Sequence, residues 1–578
     1  MKPAFARKTF RVLCGMTISL FFLWSMTCTA QVKNYATNSL IIPMDTSYQD
    51  RGMFRAYGLV YKLLASGVPV DWAIKPGKAY QQADFTNSFR NIQTSVTGTH
   101  NYAGGPFVID AANRAAALPI IQAWQTINPN VIVHEATAPF TTEVGRSLVA
   151  APRLAVFADG NQSIAFGYLN AAAIPDSQGQ GWSTTTNSVD LLTPESIAGI
   201  TQTNHHDGAL FDSNGVPRFS GLISAHYNKT SPNLEAIAET GEFLKQRTLL
   251  FAECQSAVTF ENNGHFLTDQ GLTIKAQPNS GFMSFPFPDQ PIAQDDGPFG
   301  TVGGSEPSYV PTGSYLGSEG VNYFRILRGT VSSTNVDVAI LGYAYQNTNA
   351  GRVFYLGGHQ YGTALPISAN PSSDGVRYFL NALLFAPSTA ANDGLANLVT
   401  ALSGPASPTT NRTPDFSLSY QNTGAGAALD AQAIIPLPPG ATASMISGSG
   451  TNSGGWIIWN LGNLATNAAG VLSFRLTLST NGIYPINSSF IYKRGITSVT
   501  NINNLTVTNT VALTARHLPA SKVEVSFKGD TNRNYDLQLS SNLVNWVFLT
   551  TLNSTNGYCS FIDSTTNLSS RFYRVCIP

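Results

Sequence analysis

Charge is what this chain has least of. Charged residues fill 11% of the 578 positions, against the quarter usual in globular proteins, and 33 basic residues stand against 33 acidic ones. With no net charge and no basic patch, nothing in the sequence points to nucleic acid or an anionic membrane as a partner. Histidine numbers only 8, and no His-x-His or His-x-x-x-His pair occurs. His205-His206-Asp207 is the one close set, and adjacent side chains on an extended segment face opposite ways, so it reads as a solvated loop rather than a metal site. No metal or other cofactor is therefore expected. Long apolar runs are missing beyond the N-terminus, which leaves no expected transmembrane segment. Of 5 cysteines, Cys14 and Cys28 lie near the N-terminus and three remain for the rest of the chain.

What is present begins with Lys2, Arg7, Lys8 and Arg11, the apolar run Gly15 to Met26, and Cys28-Thr29-Ala30. This is the layout of a secretory signal peptide over residues 1–30, with Gln31 expected as the first mature residue. The alternative is a lipid-bearing Cys28, for which Ser25-Met26-Thr27 makes a poor lead-in. Either way the expected location is secreted or at the cell surface. In such an oxidising compartment Cys559 and Cys576, which flank strand-like runs in the last segment, are expected to form a disulfide. That leaves Cys254 as the odd thiol.

From residue 31 to residue 387 buried strands alternate with amphipathic helices. Leu40–Met44, Val68–Ile74, Pro106–Asp110, Val131–His134, Arg153–Ala158 and Gly221–Ala225 read as strands. Met53–Leu64, Ala112–Trp124 and Val376–Phe385 read as helices. Regular alternation predicts an α/β layered, flavodoxin-like domain with a mostly parallel sheet. The stretch Gln277–Ser318 lacks periodicity and reads as a long surface loop. Residues 388–412 read as a linker rich in Ala, Ser, Thr, Pro and Gly.

Beyond the linker the period changes to two. Phe416, Leu418 and Tyr420 share a strand face, and short strands follow at regular spacing, so two all-β sandwich modules are expected at 413–516 and 520–578. The Asn422-Thr423-Gly424 turn, the Leu437-Pro438-Pro439-Gly440 turn and Trp459-Asn460-Leu461-Gly462-Asn463-Leu464 resemble the immunoglobulin-like conserved-repeat domain of bacterial surface proteins. The last module looks like a small β-sandwich found at the carboxyl ends of exported bacterial proteins. Through these modules a cell-surface association is expected. Trp456, Trp459 and Trp546 read as sandwich core rather than as platforms for sugar rings.

The sharpest chemical signal is Leu234 to Asn262. A helix runs into the strand Thr248–Ala252, Cys254 follows, and a second helix begins behind it. A cysteine so placed lies where backbone N–H groups and the helix dipole can stabilise a thiolate. Downstream, the strand Val353–Leu356 leads to Gly357-Gly358-His359. A thiolate attacks and a nearby imidazole takes and returns its proton. These two strand ends resemble the class I glutamine amidotransferase-like superfamily, and Gly351-Arg352-Val353-Phe354-Tyr355…Gly358-His359 resembles its trehalose-utilisation-like branch. The resemblance implies Cys254 as nucleophile, His359 as base, and an acidic residue, Asp45, from the loop after the first strand. The residue-level alternatives are a buried inert thiol for Cys254 and a turn cap for Asp45. Glu253 and Gln255 flank the cysteine where glutaminases carry glycine, and Tyr361 stands where their glutamate would be, so ammonia transfer from glutamine is not expected. Two functions remain open. One is a divergent site that binds a small molecule or carbohydrate without catalysis; the other is a cysteine-dependent hydrolase-like or carbohydrate-active enzyme using Cys254 and His359.

Overall fold

The computed structural model describes residues 31–578, apart from 186–187, 202, 204, 280–282, 394, 406–412, 425, 479, 481, 495–496, 565–568 and 577–578. The expected signal peptide with Cys28, and residues 406–412 of the expected linker, lie outside the described residues. Among the described residues no helix is long and apolar enough to cross a membrane.

The N-terminal part is not the flavodoxin-like, mostly parallel layer that its alternation suggests. The described chain is 39% strand and 19% helix, and its first sheet is antiparallel at every pairing. That sheet runs in the order Gln31–Tyr35, Phe140–Leu148, Val70–Ala73, Phe107–Ile109, Leu40–Ile42, His134–Ala136, Phe85–Asn91, Thr97–Tyr102. Phe140 and Phe85 stand on strands with four others between them, yet their rings stack at 4.9 Å. The sheet therefore curls into a half-barrel, closed inside by Tyr35, Phe85, Tyr102 and Phe140. The physical reason for the correction lies in the short central strands. Leu40–Ile42 and Phe107–Ile109 are buried at every residue, and a strand covered on both faces reads the same beside parallel or antiparallel neighbours.

Among the strands of the described residues, parallel pairing joins five strands of a second, nine-stranded sheet: Leu191–Leu192, Leu154–Phe157, Gly221–Ser224, Leu249–Glu253 and Arg352–Leu356. Beyond Arg352–Leu356 the neighbours Thr334–Tyr343, Ser308–Pro311 and Leu272–Lys275 pair antiparallel, and Tyr323–Val331 returns against Thr334–Tyr343. Successive residues of the parallel strands serve opposite cores, as a period of two requires. Val156, Ile223, Leu249, Phe251 and Phe354 join the core that carries helices Met53–Ala65, Ser163–Ala172 and Asp374–Leu384. Ala155, Leu222, Leu250, Ala252 and Val353 meet helices Leu234–Lys245 and Gln255–Gly264 on the other face. The first core also takes Leu40, Ile42, Trp72 and Phe107 from the half-barrel, and every residue of the helix Asp374–Leu384 is buried.

The C-terminal part is all β. A four-stranded sheet (Leu398–Ser403, Asp415–Asn422, Ala469–Thr477, Thr442–Ser444) and a five-stranded one (Thr451–Ser453, Trp456–Leu464, Ala428–Pro436, Gly482–Arg494, Thr497–Asn509) share one core. Leu398–Ser403, read above as linker, is a strand of this unit. Trp459 is fully buried with its indole N–H on the Ser447 carbonyl at 2.9 Å, whereas Trp456 is 47% exposed. Two three-stranded sheets follow, Leu513–Leu518, Lys522–Lys528, Tyr558–Asp563 and Val547–Asn553, Asn534–Ser540, Phe572–Cys576. The expected Cys559–Cys576 disulfide would need the strands that carry them, Tyr558–Asp563 and Phe572–Cys576, to lie side by side. They belong instead to different sheets, pairing with Lys522–Lys528 and Asn534–Ser540, and both thiols are free.

Candidate functional site

Four adjacent parallel strands, Leu154–Phe157, Gly221–Ser224, Leu249–Glu253 and Arg352–Leu356, end on the same edge of the second sheet. Just past their carboxyl ends stand Asp159, His226, Cys254 and His359. Strand ends of this kind converge on one crevice because parallel strands all stop on the same side.

Cys254 caps the helix Gln255–Gly264 with φ 51° and ψ −126°. A side chain in that region costs on the order of 1–3 kcal/mol, which the surroundings must over-determine. They do: its backbone N–H donates to the Leu356 carbonyl at 2.9 Å, and the register sets Glu253 opposite Leu356. Glu253, fully buried, accepts from the Tyr168 hydroxyl at 3.0 Å and from the backbone N–H of Gln360 at 2.8 Å. Burial pushes its carboxyl up to about 8. The strand that carries the cysteine thus holds the turn that carries the histidine.

The third member is His226. Asp159 accepts at one oxygen from the Ser224 hydroxyl and from the backbone N–H groups of Ala225 and His226, at 3.1, 3.0 and 2.9 Å. This fixes the turn after Gly221–Ser224. The His226 and His359 rings stand 4.4 Å apart at 70°. One donor atom from each of His226, Cys254 and His359 lies within 4.8 Å of the others. Nδ1 of both rings is buried without a hydrogen-bond partner.

The loop Gly303–Pro307 closes over this cluster. The Ser305 hydroxyl is 3.5 Å from Cys254 Sγ, and the Glu306 carbonyl accepts from the Gly358 N–H at 2.9 Å. Gly304 has φ +144°, and a Cβ there would fall 2.6 Å from His359 Cβ and 3.3 Å from Cys254 Sγ, so only glycine lets the loop lie this close. Cys254 has no exposed surface. Burial pushes its thiol up, against the opposing pull of the Ser305 hydroxyl and the Glu306 and Gln255 N–H groups. Burial, and then the neighbouring His359, lower His226, with Asp159 opposing. Glu306 is fully buried with neither carboxyl oxygen partnered, and burial pushes it up to about 8.

The structure therefore brings Cys254 and His359 together and leaves Asp45 out. Asp45 stands at the N-cap of Thr46–Gln49 but makes no side-chain cap bond; its carboxylate meets His100 Nε2 at 2.9 Å beside the half-barrel. The region after Gln277 is mostly loop, as its composition suggests, and its Gly303–Pro307 end is what covers the cysteine. His205 and His206 pair with Glu235 and Glu242. His226, Ser305 and Glu306 were not singled out in the sequence. The signal available for His226 was its place two residues past an apolar strand; for the loop residues there was none.

No protein-family model and no curated protein matches the sequence. Parts of the chain align with solved β-rich structures. One is the Fcho1 Mu homology domain of Danio rerio with bound Eps15 peptide, at 14% identity over 19% of this chain and 48% of that one, TM-score 0.15. Others are a collagen-binding domain from a Staphylococcus aureus adhesin (12%, 19% and 97%, TM-score 0.16) and the full-length major pilin SpaD of Corynebacterium diphtheriae (9%, 40% and 66%, TM-score 0.18). The alignment spans about half of the first of these chains. Likenesses this slight carry no function across.

Proposed function

We propose that this is a secreted or cell-surface protein whose N-terminal region uses Cys254 as a nucleophile toward a small molecule or carbohydrate derivative, with an imidazole of His359 or His226 as base. The observation that carries the reading is the thiol held on a positive-φ turn within 4.8 Å of two imidazoles. The thiol proton passes to an imidazole, sulfur bonds to an acyl carbon, and the leaving group departs with that proton. Water then attacks the thioester, gives up a proton to the imidazole and restores the thiol. The resemblance to amidotransferase-like proteins supports the thiol–imidazole pair only. Tyr361, in place of glutamate, bonds the Gly357 carbonyl through its hydroxyl at 2.6 Å and gives His359 no carboxylate partner, which argues against glutaminase activity. The β modules would serve display.

The test is mass spectrometry of the exported protein after iodoacetamide and after acyl esters of simple sugars. A covalent adduct on Cys254, absent from Cys254→Ser and slower to form in His359→Asn, supports the reading. A folded, chelator-treated protein whose Cys254 takes no adduct from either reagent overturns it.

A further inference from the structure

We infer that Cys254, His226 and His359 form a three-ligand site for a zinc-type divalent ion. The inference stands on the placement of the three groups and goes beyond the nucleophile reading, since an ion and an electrophile would compete for the same sulfur.

The donor set is one thiol and two imidazoles, all within 4.8 Å. Zinc bonds thiolate sulfur at about 2.3 Å and imidazole nitrogen at about 2.0–2.1 Å, so donors on a common tetrahedron stand roughly 3.5 Å apart. Closing from 4.8 Å asks for roughly 1 Å of approach between donor atoms. The backbones are the rigid part: each ligand follows a strand of one parallel patch, and each turn is pinned by a backbone N–H donating to Asp159, the Leu356 carbonyl or Glu253.

The second observation is the pair of Nδ1 atoms, one on each ring, buried and without a hydrogen-bond partner. A buried ring nitrogen without a partner carries a cost that a metal bond would remove. The chemistry of the set selects the ion. Thiolate with imidazole suits zinc, copper and cobalt, whereas magnesium and calcium ask for oxygen ligands, and no carboxylate belongs to the cluster. Binding replaces the thiol proton: Zn2+ and Cys–SH give the zinc thiolate and one released proton, and both imidazoles enter neutral. Three protein ligands would leave a fourth position for water or a ligand atom.

The experiment is a cobalt titration of the chelator-treated full-length protein, followed by back-titration with zinc. A background with Cys14, Cys28, Cys559 and Cys576 all changed to Ser leaves Cys254 as the one thiol of the chain. The expected result is one equivalent of cobalt with a sulfur-to-cobalt charge-transfer band and intense four-coordinate visible bands, all displaced by zinc. Cys254→Ser should abolish the charge-transfer band, and His226→Asn and His359→Asn should each weaken binding about tenfold or more. Circular dichroism separates a lost site from a lost fold, and His226→Gln and His359→Gln serve should an Asn variant fail to fold. A folded protein with no charge-transfer band overturns the proposal, as does a band that keeps its strength in both histidine variants. Alkylation of the metal-free protein reads the nucleophile separately: adducts on Cys254 without any cobalt band would remove the ion and leave the nucleophile standing.

Discussion

The Glu253 carboxyl accepts the backbone N–H of Gln360 at 2.8 Å. The residue before the cysteine thus anchors the residue after the histidine, across two strands that adjoin only in the fold. Glutamate at this position departs from the glycine of glutaminases, and the contact explains what the side chain does here.

Glu253→Ala would leave the Tyr168 hydroxyl and the Gln360 N–H without their acceptor in the interior, each at about 1–3 kcal/mol. Urea unfolding should show a loss of about 2–5 kcal/mol. Glu253→Gln keeps an acceptor oxygen and should lose clearly less; equal losses for the two would speak against the anchoring role.

Gly304→Ala should open the covering loop. The added Cβ would meet His359 Cβ at 2.6 Å, on a backbone at φ +144°. The loop must move away, at about 1–3 kcal/mol in stability, and alkylation of Cys254 should quicken. An unchanged alkylation rate would mean that this loop does not control access to the sulfur.

Asp393 should give the protein a distinct acid sensitivity. Burial alone would raise its carboxyl, but the guanidiniums of Arg352 and Arg146 outweigh that and hold it at about 2, below the ordinary 3.8. The unfolded chain therefore binds the extra proton between these values, so stability falls with pH in this window. The contribution is full above about pH 4 and is lost as the pH drops through 2, a span worth about 2 kcal/mol. The stability gap between the parent and Asp393→Asn should narrow by that amount in acid denaturation from pH 4 to pH 2. A gap independent of pH would show that the carboxylate is not held by its arginines.

Cys559 and Cys576 should both react with an alkylating reagent in protein unfolded without reductant. Their strands belong to different sheets and both thiols are free. Peptide mapping that recovers the two joined by a disulfide would overturn this arrangement of the last module.

Trp459→Ala should cost about 3–5 kcal/mol. Its ring is fully buried against Phe474, and its N–H bonds the Ser447 carbonyl. Trp456→Ala, at a position 47% exposed, should change the melting transition far less.

Several elements were legible because local pattern decides them. Apolar residues at helical spacing place Met53–Ala65 and Leu234–Lys245, and an apolar run breaking at Cys254 places Leu249–Glu253 with a helix behind it. Alternation was also present in Phe85–Asn91, where Phe85, Asn87, Phe89 and Asn91 are buried in turn. There the inward Asn87 and Asn91 masked the apolar face. Trp456 and Trp459 share one apolar run, and only the sheet's position over its partner decided which ring went inside.

What the sequence determined by itself is local: several of the strands and helices, the change of period near residue 413, and a cysteine and a histidine each at a strand end. Tertiary structure decided strand direction and meeting. A run buried on both faces is equally compatible with parallel and antiparallel neighbours, so the half-barrel could not be read from Leu40–Ile42 or Phe107–Ile109. The same long-range pairing sent Asp45 to His100, brought His226 to the cysteine, and laid Gly304 against both, because contacts between residues far apart in the chain depend on which strands become neighbours.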